Sequence, residues 1–475
     1  MRGLAMRGQQ GTPRPNMRAR FLVRLCQTVV HVFMRRVDVT GSSHVPPDRP
    51  TIFISNHANG LADPVVLIGQ LGTFPRFLVA QSLWRIRGLS LLLKFAMCVP
   101  VARRGEENPG QDNPAATNAV TNAATNASAF DTCHEVLHSG GRVCIFPEGG
   151  VHDNPRLALP LKTGTARIAL EGLDSGSVDD LVIVPLGITY EERGRFRAQV
   201  ALQIGEAIEV RDFLDSYRVD GPEAVRSLTH TLGEALAAVT RSHSSWLEAE
   251  VVHAAAEVTV LTRDPKARDS FAQQATLQRV IGEALSNDGG DQGRAFKGLE
   301  ARVDDLRERL DALGTHTPAD VVHLDPQHAR RRIALLGVTS AALAPSGVAG
   351  YVLNALPASV SFGLGLRVKH PAWQATAKGG SALVTLPVTW GIEAWLAHRR
   401  WGRRGALAVL LLGPITGVCA IAWTASIDEL RRSVRASGWA RRPEGLIAAR
   451  LSRDNVISEV ERLESLTTSE EMSSR

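Results

Sequence analysis

From about residue 40 to 210, short runs rich in Val and Ile alternate with stretches whose apolar residues recur at helical spacing, which predicts an α/β domain. The runs expected to be strands are Thr51 to Ser55, Arg76 to Ala80, Met97 to Ala102, Arg142 to Phe146, Leu181 to Pro185 and Arg197 to Ile204. A helix is expected over Lys162 to Leu173. Arg104 to Phe130 is a run of Asn, Ala, Thr, Gly and Pro with almost no large apolar residue. It cannot bury a face and is expected to be a flexible insertion. From Pro222 to about Val260 the pattern is helical. After a turn at Ser286 to Asp291, the residues Phe296, Leu299, Val303, Leu306, Leu310 and Leu313 follow heptad spacing, as in a short coiled coil or a packed helix.

The last third reads differently. Ile333 to Leu366 and Gly405 to Ile427 contain no charged residue, and Gly379 to Ile392 is a shorter apolar run ending at Glu393. The first exceeds the roughly twenty residues a spanning helix needs, and the second is about that length. Arginines flank every run, so the positive-inside rule gives no orientation, and Pro345 and Pro357 also permit a re-entrant hairpin. The expected division is a basic segment (1–40), an α/β domain (41–215, insertion at 103–130), a helical region (216–329), membrane-associated helices (330–430) and a polar tail (431–475).

Composition refines this picture in three ways. A chain of 475 residues is long enough for two or three domains, and its 44% hydrophobic content can build a sizeable core. The net charge of +6 is concentrated at the start, where the first forty residues carry eight arginines against Asp38 alone. With Phe21-Leu22-Val23, Leu25, Val29-Val30 and Val32-Phe33 between the basic positions, this segment suits an anionic membrane surface, or a core-facing helix with a solvated basic side. Nucleic acid is not an expected partner. The five cysteines lack CxxC spacing and read as reduced structural residues, and no cleavable signal peptide is evident, so the catalytic part is expected to face the cytoplasm.

The candidate chemistry lies at strand exits. His57 and Asp63, in Asn56-His57-Ala58-Asn59-Gly60-Leu61-Ala62-Asp63, follow the first strand, and a histidine oriented by an acid can take a proton from a hydroxyl. Arg103 and Arg104 end another strand, and guanidinium groups suit phosphate. Phe146-Pro147-Glu148-Gly149-Gly150 leaves a third, where Gly149 would let backbone approach a ligand and Glu148 could hold neighbouring amides. Lys162, in Pro160-Leu161-Lys162-Thr163-Gly164, opens a helix whose free amides favour an anion. Val184-Pro185-Leu186-Gly187-Ile188 suits the wall of an acyl groove or a plain core strand.

In this order the blocks His-x5-Asp, Val-Ala-Arg-Arg, Phe-Pro-Glu-Gly and Val-Pro-Leu-Gly resemble the membrane-associated glycerolipid acyltransferases, over about residues 20 to 210. The resemblance implies an acyltransferase domain with a central mixed sheet flanked by helices, followed by an α-helical region and C-terminal membrane helices. It implies acyl transfer from acyl-CoA or acyl carrier protein to a hydroxyl of glycerol-3-phosphate or 1-acylglycerol-3-phosphate, at a membrane and without metal or cofactor. His57 would be the general base and Asp63 its orienting partner. Arg103, with Arg104 beside it, would contact phosphate, while Asn59, Glu148, Gly149 and Lys162 would contribute to substrate binding.

Three departures stand out. Five residues separate His57 from Asp63 instead of the family's usual four, a trait shared by the branch with Asn two residues after the His. Gly150-Val151-His152-Asp153 replaces a Thr-Arg-Ser-type sequence, so a phosphate-binding arginine is missing there and Lys162 or Arg156 would substitute. The insertion after Arg104 adjoins the acceptor site. Two competing readings remain: a lipid-binding scaffold without turnover, and a metal-dependent ester hydrolase using His152-Asp153 with His57-Asp63.

Overall fold

The computed structural model of the chain describes residues 17–102, 114–152, 154–193, 195–265, 270–287, 292–315, 329–368, 371–439 and 443–473. Its strands are β1 (Arg36–Thr40), β2 (Thr51–Ser55), β3 (Arg76–Ala80), β4 (Val99–Val101), β5 (Arg142–Ile145), β6 (Val182–Tyr190), β7 (Gln199–Ile204) and β8 (Ile208–Glu209). They form one sheet in the order β1-β7-β6-β2-β5-β3-β4, with β8 against β6. From β6 to β4 the neighbours are parallel, whereas β7 and β8 run antiparallel to β6. The sheet is therefore mixed.

The helices of this unit are α1 (Met17–Phe33), α2 (Ala62–Leu71), α3 (Arg87–Phe95), α4 (Pro114–His138), α5 (Gly164–Asp174), α6 (Leu214–Val219) and α7 (Gly221–Ala237). Strand β2 shows how the sheet is sandwiched. Its side chains alternate between faces, so Ile52 and Ile54 join a core with α4, α5 and α7, while Phe53 joins one with α1 and α2. All three are fully buried, and each such side chain contributes about 1.5–3 kcal/mol of hydrophobic stabilisation.

Some boundaries depart from expectation. The expected flexible insertion is helical over 114–130, as part of α4; residues 103–113 lie outside the described residues. Alanine sustains the helix, and Ala129, Cys133 and Leu137, four residues apart, supply one buried stripe. Strand β6 runs to Tyr190 because Gly187 to Tyr190 continue the pairing with β7. Strand β1 arises within the expected N-terminal segment, its Arg36 paired to the buried Asp38, whose other oxygen accepts from the Phe271 and Ala272 amides.

Beyond this unit lie α8 (Trp246–Arg263), α9 (Ser270–Asn287), α10 (Gln292–Ala312), α11 (Ala329–Arg367), α12 (Pro371–Trp439) and α13 (Pro443–Ser473). The heptad residues Leu299, Val303, Leu306 and Leu310 of α10 are buried, and their partner is α13, through Leu446, Ala449, Val456, Val460 and Leu463. The expected polar tail is thus a packed helix, its apolar stripe masked by many charges. Helices α11 and α12 carry the apolar runs, and stretches of both are long and apolar enough to span a bilayer. Helix α12 breaks at Gly402, where φ is 64°. Where α11 meets α12, a Cβ on Gly350 would lie 2.0 Å from the Thr416 carbonyl oxygen, so only glycine permits that approach. Asn354 bridges the same interface, accepting from Trp390 Nε1 at 3.0 Å. Outward, Leu335, Val338, Val352, Leu356, Leu407 and Leu411 are each at least 59% exposed, which is what a lipid-facing surface presents.

Candidate active site

The parallel strands β2, β5, β3 and β4 end on one side of the sheet, and the loops leaving β2 and β5 meet there, as ligand sites do in open α/β sheets. Between them lies a cleft of about 1130 Å³ lined by His57, Gly60, Leu61, Phe146, Gly149 and Lys162 at one end, and by Phe77, Leu83, Leu89, Leu93, Ala127 and Phe130 along an apolar limb. Arg167 also lines it, but its Nε donates to Glu171 at 3.3 Å and its guanidinium lies over the Phe130 ring. Lys162 lines the cleft together with His57 and packs over Gly149.

His57 Nδ1 lies 2.8 Å from Asp63 Oδ2. Asp63 is fully buried in the first turn of α2, where helix amides favour a carboxylate. Its Oδ2 also accepts from the Asn59 amide at 2.8 Å and its Oδ1 from the Tyr190 hydroxyl at 2.7 Å. Three groups converge on this carboxylate, and with its ring proton on Nδ1 the His57 imidazole leaves Nε2 as a base. Burial, then the Asp63 charge, pushes the Tyr190 phenol well up and keeps it a donor.

The imidazole is also clamped from its face. The Phe146 ring stacks on it with centroids 4.0 Å apart and planes 12° from parallel. Glu148 holds the loop behind, its Oε1 accepting from the His57 amide at 2.8 Å and its Oε2 from the Ala158 amide at 3.0 Å. Burial pushes the Glu148 carboxyl up from its usual value, and those two amides oppose the rise. Gly149 sits at φ 79°, a left-handed turn that a side chain would strain. The turn brings the Lys162 amide to the Pro147 carbonyl at 2.8 Å.

The structure thus brings His57, Asp63, Glu148, Gly149 and Lys162 together. Asn59 is also present but buried, 1% exposed, lying behind the His57–Asp63 pair and not along the cleft. Arg103, Arg104 and Asp153 lie outside the described residues. Arg156, the alternative to Lys162, points away from the cleft and donates to the His243 carbonyl at 3.1 Å. Among the described residues no group of three or more His, Cys, Asp or Glu is arranged to hold a metal ion.

Four contributors were not anticipated. Tyr190 and Phe146 orient the pair, and Asn56 ties the loop to β6 through Ile188, accepting its amide at 2.8 Å and donating to its carbonyl at 3.0 Å. The fourth is Thr376 of α12, whose hydroxyl accepts the Leu61 amide at 2.9 Å and which lines the cleft. Tyr190 and Asn56 could have been sought as polar residues at the ends of apolar strands. Nothing local to Thr376 signals a partner so distant in sequence.

The Acyltransferase family model matches residues 36–189. Glycerol-3-phosphate O-acyltransferase 2 of Saccharomyces cerevisiae is 35% identical over 127 residues, covering 26% of this chain and 17% of that protein. Glycerol-3-phosphate O-acyltransferase 1 of the same yeast is 25% identical over 299 residues, covering 47% of this chain and 39% of that one. An uncharacterized acyltransferase of Schizosaccharomyces pombe is 25% identical over 286 residues, covering 45% and 42%. The chain therefore spans less than half the length of the curated relatives it matches. Among solved structures, the 1-acyl-sn-glycerophosphate acyltransferase of Thermotoga maritima shares 20% identity over 44% of this chain and 79% of that one, with a TM-score of 0.29. Strands β1 to β5 and the loops carrying His57, Asp63, Glu148, Gly149 and Lys162 lie within residues 36–189, the segment of this chain that matches the Acyltransferase family model.

Proposed function

We propose that this protein transfers a fatty acyl group from a thioester donor, acyl-CoA or acyl carrier protein, to a hydroxyl of glycerol-3-phosphate or 1-acylglycerol-3-phosphate, at a membrane and on its cytoplasmic side. The observation that carries this reading is the buried, fully satisfied Asp63 holding His57 by Nδ1 in a cleft whose lining joins apolar side chains to the cationic Lys162. His57 Nε2 takes the proton of the acceptor hydroxyl as its oxygen attacks the thioester carbonyl carbon. The carbon–sulfur bond breaks, the thiolate leaves, and the proton held by His57 passes to it. No covalent acyl-enzyme forms.

Asp63 fixes the tautomer, and Asn59 and Tyr190 act through Asp63. Glu148 positions the His57 backbone. Lys162, beside Gly149 and the N-terminus of α5, meets the acceptor phosphate, with Arg103 and Arg104 as the further phosphate contacts. The names of the yeast relatives support a glycerol phosphate acceptor. The exposed apolar surfaces of α11 and α12 support membrane anchorage.

Two consequences follow for substitutions. Lys162→Ala is expected to raise the acceptor KM about tenfold or more, the loss of one charge-assisted contact, while leaving the acyl-donor KM near wild type. Initial rates against acceptor concentration at fixed donor check this, and an unchanged acceptor KM would remove Lys162 from the phosphate site. Thr376→Val is expected to lower kcat about two- to tenfold through the lost hydrogen bond to the catalytic loop, with Thr376→Ser restoring it. Equal kcat in the valine variant would mean the loop holds its shape without α12.

The reading is tested by presenting labelled acyl-CoA to the protein in liposomes together with glycerol-3-phosphate, 1-acylglycerol-3-phosphate or glycerol. Transfer to a phosphorylated acceptor and not to glycerol is the expected result. Acylation of glycerol at the same rate would contradict the phosphate site.

A further inference from the structure

Helix α3 is apolar on two sides. Leu89 and Leu93, four residues apart, turn inward and line the limb of the cleft that leads to His57. On the other side Ile86, Leu91, Leu92 and Phe95 are exposed, Leu91 by 71%. Phe95 meets Phe21 of α1 edge to face, with ring centroids 6.5 Å apart. Helix α1 exposes Met17, Phe21 and Leu25 and, at its far end, packs Val29 and Phe33 near Gly379 and Leu383 of α12. One apolar strip therefore runs from the lipid-like surface of α12 along α1 to α3.

The charges that α1 and α3 themselves carry are of one sign. Arg18, Arg20 and Arg24 on α1 and Arg85 and Lys94 around α3 are exposed, and the sequence has no acidic residue from Met17 to Val37 or from Pro64 to Ala102. Helices whose exposed apolar side chains are flanked by cations of their own match the headgroup–acyl boundary of an anionic leaflet.

We propose that α3 lies embedded in the membrane surface, its outer face in lipid and its inner face forming the entrance of the cleft. A lipid acyl chain then passes from the leaflet along α3 towards His57 without crossing water. The passage rests on the acyl-transfer reading above, whereas the insertion of α3 does not.

The test uses the full chain, with Cys98→Ser and Cys419→Ser, carrying a nitroxide spin label on Leu91→Cys in liposomes of phosphatidylcholine and phosphatidylglycerol. Label accessibility to oxygen and to a water-soluble nickel chelate is measured. High oxygen and low nickel accessibility is expected. High nickel accessibility would place α3 in water, and low accessibility to both would mean that protein covers it; either overturns the proposal. In parallel, the Leu91→Asp/Leu92→Asp variant is assayed against wild type. A loss of about a hundredfold or more in kcat/KM for a long-chain acyl-CoA, the expected scale for two leucines leaving lipid, with a short-chain acyl-CoA within twofold, supports the passage. Equal losses on both donors, or on neither, contradict it. An inactive wild type with a lipid-exposed label would retain the insertion and reject the acyl-transfer reading.

Discussion

Replacing His57 with alanine is expected to lower kcat for acyl transfer by about 10²- to 10⁴-fold, the usual contribution of a positioned general base. The effect should fall on kcat and not on KM, because in the proposed mechanism Nε2 acts on a proton that moves only in the transition state. The fold should survive. The contacts that tie this loop down belong to the His57 backbone, whose amide donates to Glu148 and whose carbonyl accepts from the His152 amide. The side chain contributes only its bond to Asp63 and its stack on Phe146. Steady-state kinetics with a thermal melt of the same preparation checks both parts. A variant with wild-type kcat would remove His57 from the mechanism.

Asp63→Asn is expected to be as damaging, at about 10⁴-fold in kcat, although the substitution is isosteric. A carboxylate accepts from all three of its neighbours, the Asn59 amide, the Tyr190 hydroxyl and His57 Nδ1–H. An amide offers one acceptor oxygen, and its NH2 would face donors. Rotated to donate to Nδ1, it stabilises the tautomer with the proton on Nε2, which cannot act as a base. An unsatisfied donor left in this buried place also costs about 1–3 kcal/mol of stability, so the melting temperature should drop as well. Raising the pH does not supply the missing charge, and activity should stay low across the whole pH profile. Recovery of wild-type kcat at high pH would show that Asp63 acts only as a spacer.

Much of this site could be read from the chain, for a definite physical reason. Residues on loops at the ends of buried strands are constrained by strand periodicity, so β2 and β3 and the loop carrying His57 and Asp63 fall where the alternation places them. Glu148 and Gly149 likewise follow β5 directly. What stayed hidden depends on three-dimensional closure. Tyr190 reaches Asp63 only because β6 extends beyond its apolar run, and Thr376 reaches Leu61 only because α12 returns to the domain. Asn59 looks like a ligand-facing polar residue, yet the turn at Gly60 folds it behind the pair. The misread segments share another cause. Helices α4 and α13 hide a narrow buried stripe among many polar residues, and average composition is blind to a stripe.

The most direct test of the account is the product formed when the full chain, reconstituted in liposomes, is given labelled acyl-CoA and glycerol phosphate acceptors. The account predicts a labelled acylglycerol phosphate, dependent on acceptor and lost with His57→Ala. Free fatty acid released without acceptor, no product from the wild type, or equal product from His57→Ala would contradict it.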